Sequence, residues 1–555
     1  MTFGQTPGML SHLLMSSAYR QMTKPKRSFT WRIDWPVQTE AHGLYSCGDT
    51  RNLLRWLIQQ LYEATMHEVF DVQLSLSTQT VLRTVYGALL IGTLMNALPR
   101  RRYFLSERWN GFSESDKLVD VVQSPIGAAI VSTIWIVCAL GLTFGVHTVV
   151  CAILNVLFSY YFFISQRWRS VARGMGAPGF MTYWLGVAVL LTEFSLRFAP
   201  ELRGLVLTVL QIDFALIMLS AGLYKMSAGY AHNQGMEFGM ANPQWSYWPN
   251  FFSKIKPSHW FFHLLNHSAW LTEVVAAVLM LFPQTRFWGG VLIMLSFVFI
   301  LTQIRLNLLS QMVIACCLLF FQPGSLGDRW LVAMLPVSYQ IDPIAHFSWG
   351  ITVLNAVLSV WLWSYLCLTP LVHAGLFYNL FARRRLPEVL QKALESYANF
   401  FGIIIWRVFS ADLTNFFVLV FERPRVGGGD RKLLSRYGWK GSARFNYVCE
   451  AITLTSLFTT RKYHPSDLEL FRKRLLRYCK TLSCPNDSLL EFDYVSVVKS
   501  LASFEYKLVS RFIVDPVACE VEEETLDSSI SLSAAHQHSP VFEGSRPGSY
   551  APSVR

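Results

Sequence analysis

The chain has 555 residues, of which 52% are hydrophobic, 14% aromatic and only 15% charged; soluble proteins average about 25% charged residues, so this composition excludes an ordinary soluble globule and describes a polytopic membrane protein. Lys and Arg number 48 against 36 Asp and Glu, a net charge of +12, and much of the excess lies in loops beside apolar spans and just after the last one. With no basic and aromatic interleaving and no nucleic-acid motif, that charge is assigned to topology and anionic headgroups of the lipid bilayer, not to nucleic acid.

Residues 1–80 are polar and mixed, with one amphipathic segment in which Leu53, Leu54, Leu57, Ile58 and Leu61 recur at helical spacing. The first 30 residues show no apolar core with a cleavage site, so insertion is expected to fall to the internal spans. A first span is predicted from Val81 to Leu98, stopped by Pro99 and the basic run 100–102. Two more, Pro125–Gly145 and His147–Ile164, meet at a tight turn and predict a hairpin in the membrane. The loop Gln166–Phe180 sets Arg167, Arg169 and Arg173 beside a glycine-rich backbone. Such a loop can cradle an anion, or it can be a turn flanked by interfacial arginines; it is not a Walker motif, because no Lys-Ser or Lys-Thr follows the glycines. The next predicted span, Phe180–Phe198, carries Glu193 and Arg197 at i,i+4, where they neutralise one another on one face.

Gly204–Met226 has the roughly 20 residues that a helix needs to cross a ~30 Å hydrocarbon layer, and it carries Asp213 and Lys225. An ionisable group inside a span is costly and marks a functional site, although a lysine near a helix end also snorkels to the interface. The long loop Ser227–Trp260 then offers Tyr230, His232, Glu237, Trp245, Tyr247 and Trp248, a composition suited to anchoring at headgroup depth. His259, His263 and His267 recur at i, i+4 and i+8. Without a glutamate base inside the motif, a proton-relay or interface role fits this stripe better than metal binding. The spans His263–Phe282, with Glu273, and Phe287–Ile304 follow. Gln303, Arg305, Asn307, Ser310 and Gln311 interrupt the apolar stretch that continues to Phe321, which predicts a turn or a broken helix around a polar interior. Asp213, Lys225, Glu273 and Arg305 are the residues expected to line that interior.

The segment Ala221-Gly222-Leu223-Tyr224-Lys225, ending an apolar span ahead of a Gly- and aromatic-rich loop, resembles the signature of the vitamin K-dependent gamma-carboxylase-like family of the horizontally transferred transmembrane (HTTM) domain. Leu271-Thr272-Glu273 through to Arg286, with its Leu-Phe-Pro-Gln-Thr-Arg ending, is similar to that family's next helix, and the likeness covers residues 80–325. The resemblance implies a helical membrane scaffold and a carboxylase-like enzyme in which Lys225 is the catalytic base that deprotonates a reduced quinone, with an isoprenoid or peptide substrate. Where carboxylases carry an acidic residue and a Trp soon after the lysine, this chain has Ser227-Ala228-Gly229-Tyr230.

The last span is predicted from Phe347 to Val372. Phe400–Phe421, apolar but interrupted by Arg407 and Asp412, reads as an interfacial helix, and Gly427–Asp430 as a linker. Beyond it a basic helical pattern begins at Pro465-Ser466-Asp467, and Leu489–Val498 and Phe504–Asp515 read as strands, which together predict a small α+β domain over 430–526. From Asp527 onward the composition predicts a disordered tail. The ten cysteines are scattered, with Cys138, Cys151, Cys316, Cys317 and Cys367 inside apolar spans; no disulfide framework is legible, and Cys479 with Cys484 reads as ordinary thiols. The expected fold is thus mainly α: a transmembrane helix bundle of 8–9 spans over 81–372, an interfacial helix and linker over 373–429, and the C-terminal domain. Two functions remain open, a membrane enzyme using Lys225 as a base on a lipid-soluble substrate, and a non-catalytic scaffold or maturation factor that binds a partner through its C-terminal domain. The charge rule puts the lysine loop on the cytoplasmic side, whereas the family likeness implies the lumen.

Overall fold

The computed structural model describes residues 72–97, 101–335, 349–382, 386–403, 411–425, 431–435, 446–463, 467–482 and 487–525, all within one compact unit, Ala64–Arg555. The amphipathic segment at 53–61, the glycine linker at 427–430 and the tail from 527 lie outside the described residues.

The helices begin with α1 (Leu76–Ala97), in which Leu82, Tyr86, Leu90 and Leu94 are buried at successive i,i+4 positions. After α2 (Lys117–Val122), the Ser124 hydroxyl accepts the Gly127 N–H and Pro125 opens α3 (Pro125–Phe144). Gly145, at φ 77°, ends that helix, and His147 leads into α4 (Thr148–Ser159), which runs on in a wider turn to Ser165. This is the expected hairpin. The next helix, α5 (Gly176–Phe198), starts four residues before the expected Phe180, because Gly176-Ala177-Pro178-Gly179 forms its first turn. A proline costs nothing there, since its missing N–H would have no helical partner. Gly179 also lets the preceding turn close, for a Cβ on it would sit 1.9 Å from the Gly174 carbonyl.

The chain continues through α6 (Arg203–Ser227), the short α7 (Met236–Ala241) and α8 (Pro249–Phe252), then α9 (Trp260–Leu281) and α10 (Arg286–Gln303). At Ile304–Leu308 the helix breaks. The freed backbone is bonded by the loop before α8: the Arg305 N–H donates to the Trp245 carbonyl at 2.7 Å, and the Tyr247 N–H to that of Gln303 at 3.1 Å. The chain re-enters as α11 (Leu309–Cys316), tightening to Phe320, where Met312, Val313, Cys316, Leu319 and Phe320 are fully buried. These 12 residues make about 18 Å of helix, too short to span a bilayer alone. The amphipathic α12 (Leu326–Met334) and the long α13 (Trp349–Phe381) follow.

Seven of the described helices, α3, α4 with its extension, α5, α6, α9, α10 and α13, are long and apolar enough to cross a membrane. The other two expected spans correspond to α1, diluted by Ser77, Thr78, Gln79 and Arg83, and to the short α11. Large apolar side chains on α3 (Ile126, Val137, Phe144) and α13 (Val357, Val360, Leu371) face outward, as a bilayer environment requires.

The expected interfacial helix over 400–421 is not what forms. α14 (Glu388–Phe401) ends at Gly402, in the left-handed region at φ 72°, and after α15 (Ala411–Thr414) the stretch becomes strand β1 (Phe416–Pro424). With β2 (Lys432–Leu433), β3 (Ser488–Lys499), β4 (Phe504–Asp515) and β5 (Glu520–Thr525) it makes an antiparallel sheet in the order β2-β1-β3-β4-β5. Part of the sheet therefore precedes residue 430. Phe416, Val418 and Val420 pack under α16 (Asn446–Tyr463) and α17 (Leu468–Lys480), together with Phe112 and Val171 from bundle turns. Phe417, Leu419 and Phe421 pack on the opposite face against Met240, Ala241, Phe252 and Phe262. Burial on both faces explains why the run Phe416-Phe417-Val418-Leu419-Val420-Phe421 lacks the alternation that marks a strand.

Candidate functional site

The motif Ala221–Lys225 first does a packing job. A Cβ on Gly222 would sit 2.7 Å from Val274 Cγ2 and 2.9 Å from the Trp270 carbonyl, so glycine is what allows α6 to lie directly on α9. One turn later the Lys225 ammonium meets Glu273, with Nζ to Oε1 at 2.5 Å. Both side chains are buried, at 4% and 1% exposure. Glu273 Oε2 and the Trp270 indole N–H, three residues apart on α9, make no hydrogen bond among the described residues although both atoms are buried.

A second buried carboxylate lies in the loop that follows. Glu237 Oε2 accepts the Gly235 N–H at 2.9 Å and the Asn266 amide of α9 at 2.7 Å, while Asn266 Oδ1 accepts the Met236 N–H. Its Oε1 is 2.5 Å from Lys499 Nζ, at the end of β3. Tyr230, fully buried, lies in the field of both carboxylates. Burial first, then Glu237, Glu273 and Tyr224, hold its phenol well above the usual tyrosine range, so it keeps its proton. Gly235 seats that ring, since a Cβ on it would fall 2.2 Å from Tyr230. The result is a buried polar cluster running from the Lys225–Glu273 pair to the partly exposed Lys499.

No family model, curated protein or solved structure matches this chain. Of the four residues expected to share one polar interior, two meet. Asp213 is buried elsewhere, twelve residues earlier on α6 and so about 18 Å along its axis from Lys225. Its Oδ2 accepts the Trp184 indole N–H at 2.7 Å and the Tyr365 hydroxyl at 3.1 Å, which ties α5 and α13 to α6. Arg305 lies at the break after α10, with its guanidinium 5.3 Å from the Tyr247 ring centroid. Glu193 does pair with Arg197, at 4.0 Å, but Thr148 at 2.7 Å and Arg83 at 3.5 Å also hold it, so it is a node joining α1, α4 and α5.

In the long loop, Tyr230, Glu237 and Trp245 are buried, while Trp248 is exposed like Trp260 at the start of α9, so only part of that loop suits an interface. Of the histidine stripe, His259 caps α9 by accepting the Phe261 N–H, and His267 lies against Trp270. Among the described residues, no three His, Cys, Asp or Glu side chains form a group fit for a metal ion. The sequence reading missed Asn266 and Lys499. Asn266 sits one turn before Trp270 on the face that carries Glu273, which is a signal. Lys499 lies 262 residues from Glu237 and offers none.

Proposed function

We propose that the protein is an integral membrane enzyme of nine crossings in which Lys225 takes a proton from a lipid-soluble substrate. The observation that carries this reading is the buried Lys225–Glu273 pair beside two polar atoms, Glu273 Oε2 and Trp270 Nε1, that have no hydrogen-bond partner among the described residues. The resemblance of Ala221–Lys225 to the gamma-carboxylase-like family points the same way. Transfer of the shared proton from Lys225 to Glu273 converts two charges into a neutral amine and a neutral acid, which removes both charges from an apolar setting. The amine lone pair then accepts the substrate proton, and the bonding electrons remain on the substrate as an anion next to the new ammonium.

A hydroxyl both donates and accepts, so an unfilled acceptor and an unfilled donor three residues apart on α9 suit a reduced quinone, which Glu273 and Trp270 would hold. Such a quinone supplies the acidic hydroxyl. Nine crossings follow from assigning two groups of contacts to opposite membrane faces. Thr78 bonds Asp328 at 2.9 Å, and Asn355 bonds the Phe198 carbonyl at 2.9 Å; the sheet packs on Phe112, Val171 and Met240. In this scheme α1 crosses with the seven apolar helices, and the short α11 crosses together with the non-helical residues on either side of it, 304–308 and 321–325.

One observation favours the alternative, a non-catalytic scaffold or maturation factor: the Lys225 ammonium is already engaged by Glu273, which suffices to lock α6 on α9. The two readings part on Lys225→Arg. Arginine keeps the charge and can keep the pair, but it stays protonated and cannot act as a base. Cells lacking the protein are complemented with wild type, Lys225→Arg or Lys225→Ala at equal membrane abundance, and lipids extracted from the purified protein are identified by mass spectrometry. Loss of function in the arginine variant, with an isoprenoid or quinone retained by the wild type, is expected. Full function with arginine removes the base role.

A further inference from the structure

The turn between α4 and α5 holds a second unusual concentration of charge. Arg167 and Arg173 both lie on the Trp168 indole, with guanidinium carbons 5.2 and 5.4 Å from its centroid. Arg474, projecting from α17, reaches the same turn: its Nη2 donates to the Ser170 and Val171 carbonyls at 3.4 and 3.3 Å, and its Nη1 to the Thr460 hydroxyl at 2.6 Å. Arg173 donates to that same hydroxyl at 3.4 Å, so two guanidinium groups share one neutral acceptor.

The neighbouring arginines show what compensation looks like. Arg169 pairs with Asp116 at 3.0 Å, and Arg477 with Glu107 and Glu114 at 3.0 and 3.2 Å. Arg167, Arg173 and Arg474 have no carboxylate at ion-pair distance among the described residues, and Arg474 is only 7% exposed. Burial, then repulsion from Arg173 and Arg477, pushes the Arg474 guanidinium down to about 9; burial, then Arg173, pushes Arg167 down to about 10. Both remain charged at neutral pH. The backbone of the turn is committed to this arrangement as well: Arg173 and Met175 hold φ of 46° and 61°, a conformation uncommon for residues with a Cβ. Strain and unneutralised charge in one place call for an anion with several acceptor oxygens, and guanidinium groups match phosphate best. The turn joins two helices long and apolar enough to cross a membrane, and helix ends of a membrane-crossing pair lie at the depth of lipid phosphates.

We propose that Arg167, Arg173 and Arg474 form a phosphate-binding site at the seam between the α4–α5 turn and α17, filled by a lipid headgroup or by free phosphate. The anion supplies the negative charge that the site lacks and clamps the C-terminal helix pair to the bundle.

The test uses the full chain in nanodiscs of phosphatidylcholine, with or without phosphatidic acid, and separately in detergent with inorganic phosphate. Thermal unfolding and native mass spectrometry report binding. The variants are Arg474→Gln, which retains hydrogen-bonding capacity toward Thr460, and Arg167→Gln, whose side chain makes no hydrogen bond among the described residues; Arg461→Gln, next to Thr460 in the chain but with its guanidinium on Glu523 and the Phe512 ring, controls for net charge. A gain in unfolding temperature and lipid retention with phosphatidic acid, weakened about tenfold in Arg167→Gln and Arg474→Gln but not in Arg461→Gln, is expected for a headgroup site. The same pattern with inorganic phosphate alone identifies free phosphate. If neither probe stabilises the wild type, or if Arg167→Gln binds as the wild type does, the proposal is overturned, whether or not Arg474→Gln folds.

Discussion

Removing one partner of the Lys225–Glu273 pair is expected to cost far more than removing both. With the side chains at 4% and 1% exposure, Glu273→Leu leaves an ammonium, and Lys225→Met a carboxylate, without its ion-pair partner at the buried contact between α6 and α9. Breaking a buried pair in this way costs about 3 to 5 kcal/mol, whereas replacing the whole pair by apolar side chains of similar volume is often neutral or stabilising. If the two sites were independent, the double variant would lose about 6 to 10 kcal/mol. The geometry, with Nζ and Oε1 at 2.5 Å, predicts instead that Lys225→Met with Glu273→Leu loses less than either single change. Thermal unfolding in one detergent, followed by the fluorescence of the 18 tryptophans, ranks the four proteins. A double variant as unstable as the sum of the singles would refute the coupling and, with it, the claim that this contact holds the two helices in register.

Gly222→Ala places a methyl 2.7 Å from Val274 Cγ2 and is expected to cost about 1 to 3 kcal/mol as overpacking, partly recovered by adding Val274→Ala in the same thermal assay. Lys499→Ala leaves Glu237 its two hydrogen bonds but no cation; a loss of about 1 to 3 kcal/mol is expected, with faster amide hydrogen exchange over residues 233–238 and little change in α3 and α4. A fragment starting at residue 431 lacks β1, the strand between β2 and β3, and is expected to show no cooperative unfolding by circular dichroism; a stable fold would contradict the sheet order.

The spans were legible wherever a side chain's character repeated along the chain. Ser124-Pro125 and Gly145 bracket α3, and the apolar run around Lys225 coincides with α6, because caps and hydropathy are local. β1 was not legible: Phe416 to Phe421 are buried on both faces, and the two-residue period that identifies a strand exists only when one face meets water. For the site, the cost of burying a charge singled out Lys225 and Glu273, but the same rule also gathered Asp213 and Arg305 into one interior. Each of those found its own local solution, Asp213 in the Trp184 and Tyr365 donors, Arg305 at the Tyr247 ring. Hydropathy shows that a charge needs a partner. It carries no information about which one, and Lys499 reaches Glu237 only because the sheet folds back onto the loop.

The sheet's packing also imposes an order of assembly. Phe112 and Val171 share a core with Phe416 and Val418, and Met240 and Phe252 share one with Phe417 and Leu419, so bundle turns are covered by segments made later. At roughly 5 to 20 residues per second, the interval between Phe112 and Phe416 lasts about 15 to 60 s. Until then Phe112 and Val171 lack the sheet residues that cover them in the folded protein. A nascent chain stalled before residue 416 is therefore expected to leave these apolar turns uncovered, which a dye that reports exposed apolar surface would detect.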